Sequence, residues 1–338
     1  MAAAALARRS HPPDAKSAGD IFMSGSANTC RTAVGFCTYN RSARLPALIS
    51  ALRAQACDEP FDLLVVDNNS ADDTAEVLRR LAEAPGVRLH HVRETEQGIV
   101  PARNRLLREA QGYEFLLMMD DDEMPAPGWV QAGLRALRDE GLECVGGRVC
   151  VRFEQGRPRW LGDDLLGFLC EVDHGTEARP ITDDSTPIWT ANVGYRMALF
   201  ATGLRFDMRY SRVGNGLGGG EDVVMFESLL ERGHRMGYRP EMVVEHFVEA
   251  WRLRRMYFLR LHFTSGVRAG LHATPSSSRQ AFGAPLYLYP QALRQGLRAL
   301  GHLASGSSWL RQAMTFTYAC GRIVGARRKT RAPAGARA

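Results

Sequence analysis

From residue 33 the chain alternates short apolar runs with stretches whose apolar residues recur every three or four positions. Ala33-Val34-Gly35-Phe36-Cys37 reads as a buried strand. Leu45, Leu48, Ile49 and Leu52 then share one helical face; Asn40 or Ser42 can cap that helix, and Pro46 suits its first turn. Phe61 to Val66 is a near-continuous apolar strand ending at Asp67, and Ser70 or Asp72 caps a helix carrying Val77, Leu78 and Leu81. Val87 to Val92 predicts a third strand and Pro101 to Ala110 a third helix. Phe115-Leu116-Leu117-Met118-Met119 predicts a fourth strand, and Pro127 opens a helix with Val130, Leu134 and Leu137 on its inner face. Apolar strands separated by amphipathic helices predict an α/β fold, with a mostly parallel central sheet and helices on both faces.

Ligands of such sheets bind at the carboxyl ends of the strands. Three polar clusters stand at those ends: Thr38-Tyr39-Asn40, Asp67-Asn68 and Asp120-Asp121-Asp122. Three adjacent like charges raise one another's pKa, which a bound cation relieves. Closely spaced hard oxygen ligands suit Mg²⁺ or Mn²⁺ held together with a substrate's phosphates. A solvated acidic turn capping the next helix is the plain alternative.

Beyond residue 150 the pattern loosens. Residues 152–185 are polar and irregular, as expected of a loop that covers or builds a site. Pro187 to Tyr195 and Arg239 to His246 read as strands. Gly214-Asn215-Gly216-Leu217-Gly218-Gly219-Gly220 leads into Glu221-Asp222 and a helix to Glu231; the glycines predict either a mobile lid or a flexible surface loop. Helices follow over 249–270, 288–304 and 308–325.

Composition places the chain among ordinary globular proteins, with 338 residues, 45% apolar and 24% charged. Seven scattered cysteines without a C-x-x-C pair predict a reducing compartment and buried thiols, not a disulfide frame or zinc site. No apolar stretch is long enough to span a bilayer. The net charge of +6 conceals an asymmetry: after Glu249 there are fifteen Lys and Arg and no acid. The first 249 residues hold the other 28 basic residues against all 37 acids, a net of −9. A cationic segment of this kind wants an anionic partner. It carries no nucleic-acid motif, so nucleic acid is not expected.

The chain resembles family-2 glycosyltransferases with the nucleotide-diphospho-sugar transferase (GT-A) fold. The matching pieces are V-G-F-C-T-Y-N-R at 34–41, V-V-D-N-N-S-A-D-D-T at 65–74, G-I-V-P-A-R-N-R-L-L at 98–107 and L-L-M-M-D-D-D-E-M-P-A-P-G-W at 116–129. T-A-N-V-G-Y-R at 190–196, G-G-G-E-D-V-V-M-F at 218–226 and V-V-E-H-F-V at 243–248 follow in the family's order. The double proline after D-D-D-E and the F-x-S-G at 263–266 are most similar to bacterial exopolysaccharide glucosyltransferases of the succinoglycan type. Residues 1–31, rich in Ala, Ser and Pro and without periodicity, predict a disordered leader; the resemblance implies a catalytic domain over 32–248, with a donor half at 32–150 and an acceptor half at 151–248. A basic amphipathic helical extension over 249–326 and a disordered basic tail over 327–338 complete the expected organisation.

What the resemblance implies is inverting, metal-dependent transfer of a sugar from a nucleotide diphosphate, UDP by expectation, to a hydroxyl of a glycan or polyprenyl-linked acceptor in surface polysaccharide synthesis. Asp122 matches the metal ligand of the family's D-x-D motif, Asp121 the ribose-binding position, and Asp120 orients either. His246 matches the late histidine that completes the metal shell or touches the diphosphate; a structural histidine is the alternative. Neutral imidazole suits Mn²⁺ better than Mg²⁺. Asp222 resembles the catalytic base, with a helix cap as the other reading, and Glu221 is the alternative base or an acceptor contact. Thr38, Tyr39, Asn40, Asp67 and Asn68 resemble the donor's nucleobase pocket. Arg103 and Asn104 match the donor-contacting A-R-N, unless Arg103 pairs with an acid of the triplet. Trp189 and Asn192 are expected at the acceptor, with a core position the alternative for Trp189. Trp309, Leu310, Met314, Phe316 and Tyr318 beside Arg311 and Arg322 suit the inner face of an anionic membrane, or else pack on the catalytic body. A sugar-nucleotide pyrophosphorylase and an inactive scaffold of the same fold are the competing readings.

Overall fold

A computed structural model describes residues 31–213, 216–273, 279–304 and 309–331. The expected leader lies outside these residues except for Arg31, as do Gly214, Asn215 and positions 332–338.

The elements run β1 (Thr32–Thr38), α1 (Leu45–Arg53), β2 (Phe61–Asp67), α2 (Thr74–Glu83), β3 (Leu89–Arg93), α3 (Ile99–Glu109), β4 (Phe115–Met119), β5 (Glu123–Pro125), α4 (Trp129–Arg138) and β6 (Cys144–Phe153). Then come β7 (Arg179–Ile181), β8 (Asn192–Arg196), α5 (Ala198–Ala201), α6 (Glu221–Glu231), β9 (Met236–Val248), α7 (Arg255–His272), α8 (Leu288–Ala304) and α9 (Trp309–Arg331). The described sheet is ordered β3-β2-β1-β4-β8-β6-β9-β5, with β7 also on β9. Strands β3, β2, β1 and β4 are parallel, so the ends of β2, β1 and β4 lie side by side on one edge. The second half adds antiparallel neighbours: β8 pairs antiparallel with both β4 and β6, while β9 runs parallel to β6.

The apolar strand runs split by parity, as they must in a sheet covered on both faces. Val34, Phe36, Leu63, Val65, Phe115 and Leu117 face a core built with α1, α2 and α4. Ala33, Leu64, Val66, Leu116 and Met118 face a second core built with α3 and α6. The expected caps of α1 serve another purpose. Asn40 Oδ1 accepts from the Ala71 amide and the Ser42 amide donates to Asp72, stitching the loop after β1 to the loop after β2. Asp72 also accepts from the Thr74 amide at 3.0 Å and so holds the first turn of α2.

A third core joins the loop around 161–169 to α7 and α9 and includes Leu310 and Met314, at 7% and 1% exposure. These two residues, expected at a membrane surface, are therefore packed on the catalytic body. Two pairs of glycines make that packing close. A Cβ at Gly266 or Gly270 would overlap the α9 backbone at Tyr318 or Arg322, and one at Gly321 or Gly325 would overlap α7 at Phe263 or Val267. The α9 helix continues to Arg331, so residues 327–331 are helical and not part of a tail. No described helix is long and apolar enough to cross a membrane. Gly325→Val is expected to force α9 off α7 at a cost of about 1–3 kcal/mol. Limited trypsin digestion should then cut within α8 and α9 at concentrations that leave the wild type intact.

Candidate active site

A cavity of about 230 Å³ opens at the sheet edge where β1, β2 and β4 end. Its walls include Thr38, Tyr39, Asn68, Asp120, Asp121, Asp122 and His246, together with Arg41, Arg212 and Arg252. Acids and arginines side by side, with Arg41 4.0 Å from Asp121 and Arg252 3.8 Å from Asp122, suit an anionic ligand that carries its own cation.

Within the triplet each acid has different partners. Thr38 Oγ1 donates to Asp121 Oδ2 at 2.7 Å. Burial, and then the charge of Asp122, pushes the Asp121 carboxyl up to about 7, against that hydrogen bond and Arg41. Burial also works to raise Asp122, but His246, Arg252 and Arg41 outweigh it and hold Asp122 below the usual carboxylate range. Asp120 Oδ1 accepts from Arg103 at 3.0 Å.

Arg103, on α3 and 3% exposed, also donates to Glu221 Oε1 at 2.6 Å at the start of α6. Burial disfavours its charge, yet Asp120 and Glu221 keep the guanidinium firmly charged. One buried cation thus ties the end of β4 to the first turn of α6. Two glycines set this up. Gly220 adopts φ 111° immediately before α6, and Gly98 adopts φ 148° before α3, where a Cβ would meet Ser211 Oγ at 2.6 Å. The pairing of Arg103 with an acid of the triplet is therefore realised, and Arg103 is not among the residues that line the cavity. Asn104 likewise exchanges both ends of its amide with the Phe206 backbone, at 2.9 Å each.

Glu221 is 3% exposed; its Oε1 is bound to Arg103, which anchors the start of α6, and its Oε2 is buried without a hydrogen-bond partner. Asp222 is partly exposed, with Oδ1 accepting from its neighbour Val223 N at 2.9 Å. Burial, and next the charge of Glu221, raises it to about 6, with Arg103 acting the other way. That value suits a group that accepts a proton near neutral pH.

On the other side, β5 pairs antiparallel with β9 and sets Glu123 directly opposite His246. Asp122, Glu123 and His246 form a group whose ligand atoms all lie within 4.8 Å of one another. His246 Nδ1 stands 3.5 Å from Asp122 Oδ1 and 3.6 Å from Glu123 Oε1. Both Nδ1 and Glu123 Oε1 are buried without a hydrogen-bond partner. Burial first, then the charges of Asp120 and Asp122, pushes the Glu123 carboxyl well above its ordinary range. Two orphaned buried atoms beside a carboxylate, with oxygen and imidazole donors, fit a divalent cation such as Mn²⁺. Arg252 Nη1 approaches His246 Nε2 at 2.9 Å. If Nδ1 held a cation the proton would stand on Nε2, and Arg252 would then have to release that nitrogen.

Several expected donor contacts also have structural duties. Asn40 is outside the cavity wall in the loop stitch already described. Asp67 is buried behind the wall, where Oδ1 accepts from Ser70 N at 3.0 Å. Asn68 lines the cavity, but its amide is engaged with Glu96 O and Gly98 N at 2.8 Å each, which shapes the approach to α3. Asn192, expected at the acceptor, is 1% exposed: it accepts from Trp129 Nε1 at 2.8 Å and donates to Arg148 O and Met242 O. Its polar atoms are saturated inside the protein. Trp189 packs against the first core, the alternative reading of that residue. Glu123, Arg41 and Arg252 were not among the sequence candidates. Glu123 and Arg41 stand inside quoted motifs, a usable signal; Arg252 is one of fifteen tail cations and had none.

The profile of glycosyl transferase family 2 matches residues 33–204. Glycosyltransferase AglE of Haloferax volcanii is 28% identical over 119 residues, 35% of this chain and 39% of that protein. A PGL/p-HBAD biosynthesis glycosyltransferase of Mycobacterium bovis is 36% identical over 177 residues, 51% of this chain and 62% of that protein. The chain thus matches less than two thirds of the length of these curated relatives. Among solved structures, a mannosyltransferase of Pyrobaculum calidifontis in complex with GDP-mannose and Mn²⁺ superposes with a TM-score of 0.56 at 20% identity, covering 88% of this chain and 87% of that one. S. aureus TarS in complex with UDP-GlcNAc gives 0.50 at 18% identity, covering 73% and 68%. The shared GT-A fold and a family match over half of the chain lead to one conclusion: this chain belongs to glycosyl transferase family 2.

Proposed function

We propose that the protein transfers a sugar, with inversion, from a nucleoside diphosphate, UDP in our reading, to a hydroxyl of a glycan or polyprenyl-linked acceptor at the inner face of an anionic membrane. The observation that carries this is the Arg103 bridge, which joins an acid of the D-D-D run to the E-D motif across one buried guanidinium. The two halves expected of such a site, one for the leaving diphosphate and one for the attacking hydroxyl, are thereby held at a set distance.

Asp122, Glu123 and His246 would hold the divalent cation, which when bound acts as a Lewis acid on the leaving diphosphate. Structural neighbours in complex with Mn²⁺ and a nucleotide sugar support that choice. Arg41, Arg212 and Arg252 supply further positive charge around the same oxygens. Thr38 holds Asp121 for the ribose, and Tyr39 borders the base. Asp222 takes the proton as the acceptor oxygen attacks from the face opposite the diphosphate, which inverts the anomeric centre.

Asp122→Ala is expected to weaken Mn²⁺-dependent binding of UDP at least tenfold by titration calorimetry, while binding without Mn²⁺ changes little. Equal binding by variant and wild type in both conditions would remove Asp122 from the metal site. A panel of sugar nucleotides incubated with the wild type and Mn²⁺ should show slow hydrolysis of one donor. Release of pyrophosphate from a nucleoside triphosphate and a sugar phosphate would favour the pyrophosphorylase instead.

A further inference from the structure

Of the twelve large apolar side chains most exposed among the described residues, seven fall between Phe282 and Leu303. Leu293, Leu297 and Leu300 of α8 are 61–65% exposed and lie within about 60° of arc on the helix, with Leu303 at the edge of the stripe. Arg294 and Arg298 flank them, also exposed. The opposite face of α8 carries the buried Leu288 and Ala292, while Gly296 lies close under Phe316 of α9. Between the two helices an open apolar groove of about 420 Å³ is lined chiefly by Leu293, Leu297, Leu300, Leu303, Trp309 and Phe316.

We infer that this face of α8 docks on the surface of an anionic phospholipid bilayer, with the leucines in the acyl boundary and the two arginines among the headgroups. The inference rests on the reading that the acceptor is presented at a membrane, and it moves the contact from α9 to α8. Charge selects the occupant. Residues 250–338 carry fifteen basic residues and no acid, so the segment that holds this surface is complementary in charge to anionic lipid. A second copy of the chain would bring Arg294 and Arg298 against their own equivalents, which disfavours a self-interface. Because α8 rests on α9, and α9 is set into α7 at four glycines, docking would fix the catalytic body relative to the lipid plane.

The test is flotation of the full chain with vesicles of phosphatidylcholine alone and of phosphatidylcholine with phosphatidylglycerol at low salt. Wild type is expected to float with the anionic vesicles only. L293E/L297E/L300E should lose flotation at least tenfold, and R294Q/R298Q about thirtyfold. Both variants should keep wild-type Mn²⁺-dependent UDP binding, a readout that stands or falls with the catalytic reading and not with this one. L293S/L297S/L300S repeats the test without added charge. The inference is overturned if wild type stays at the bottom of the gradient, if the variants float like wild type, or if light scattering shows a wild-type dimer that L297E turns into a monomer.

Discussion

Asp222→Asn is expected to bind its sugar nucleotide with wild-type affinity and to transfer the sugar about 10²–10⁴-fold more slowly. The substitution preserves shape, and an amide oxygen can still accept from Val223 N, so the first turn of α6 keeps its geometry. What is lost is a group that takes up a proton. The measurement is kcat against the donor's dissociation constant, since a merely structural role would change both. The pH dependence supplies a second check. Burial, assisted by Glu221, holds Asp222 at about 6, and only its ionised form accepts a proton. The wild-type rate should therefore fall as pH drops below about 6 and level off above it, and the variant should lack that limb. A kcat within a factor of two of wild type would remove Asp222 as the base.

Arg103→Met is expected to destabilise the protein by about 3–5 kcal/mol, the usual consequence of leaving a buried charge without its partner. Glu221, at 3% exposure, loses its ion pair, and Asp120 loses a 3.0 Å hydrogen bond. Arg103→Met combined with Glu221→Gln should recover much of the stability while remaining inactive, because the bridge between the motifs is gone. Arg103→Lys should not substitute, since a single ammonium cannot span both carboxylates with the same geometry. Denaturant unfolding separates these outcomes. A variant as stable as wild type would mean that the bridge does not hold the two motifs together.

Much of the catalytic domain was legible because its signals are local. The run Phe115–Met119 is apolar, too short for a helix, and closed by acids. A strand is what buries it, and β4 is that strand. Thr38 and the three aspartates follow from the same reasoning, since parallel strands deliver their carboxyl ends to one edge. The misread residues are those whose hydrogen bonds close within the protein. Asn192 and Asn68 match family motifs, yet their amides satisfy backbone groups on segments up to 50 residues away. Glu123 went unnoticed as one more acid in a run, because its role depends on the β5–β9 register that sets it against His246.

The C-terminal helices show the same division. Spacing alone established that α8 and α9 each carry apolar residues beside arginines, because a helix repeats every 3.6 residues whatever surrounds it. It could not establish which apolar face is covered. Leu310 and Met314 lie under α7 and the 161–169 loop, where close glycine contacts let the backbones meet, while Leu293, Leu297 and Leu300 have no such neighbour among the described residues. Strand runs, helix faces and the acids at strand ends were set by local chemistry and could be read along the chain. The Arg103 bridge, the ligand group around His246 and the open face of α8 were decided by contacts between distant segments, which only packing of the whole chain brings about.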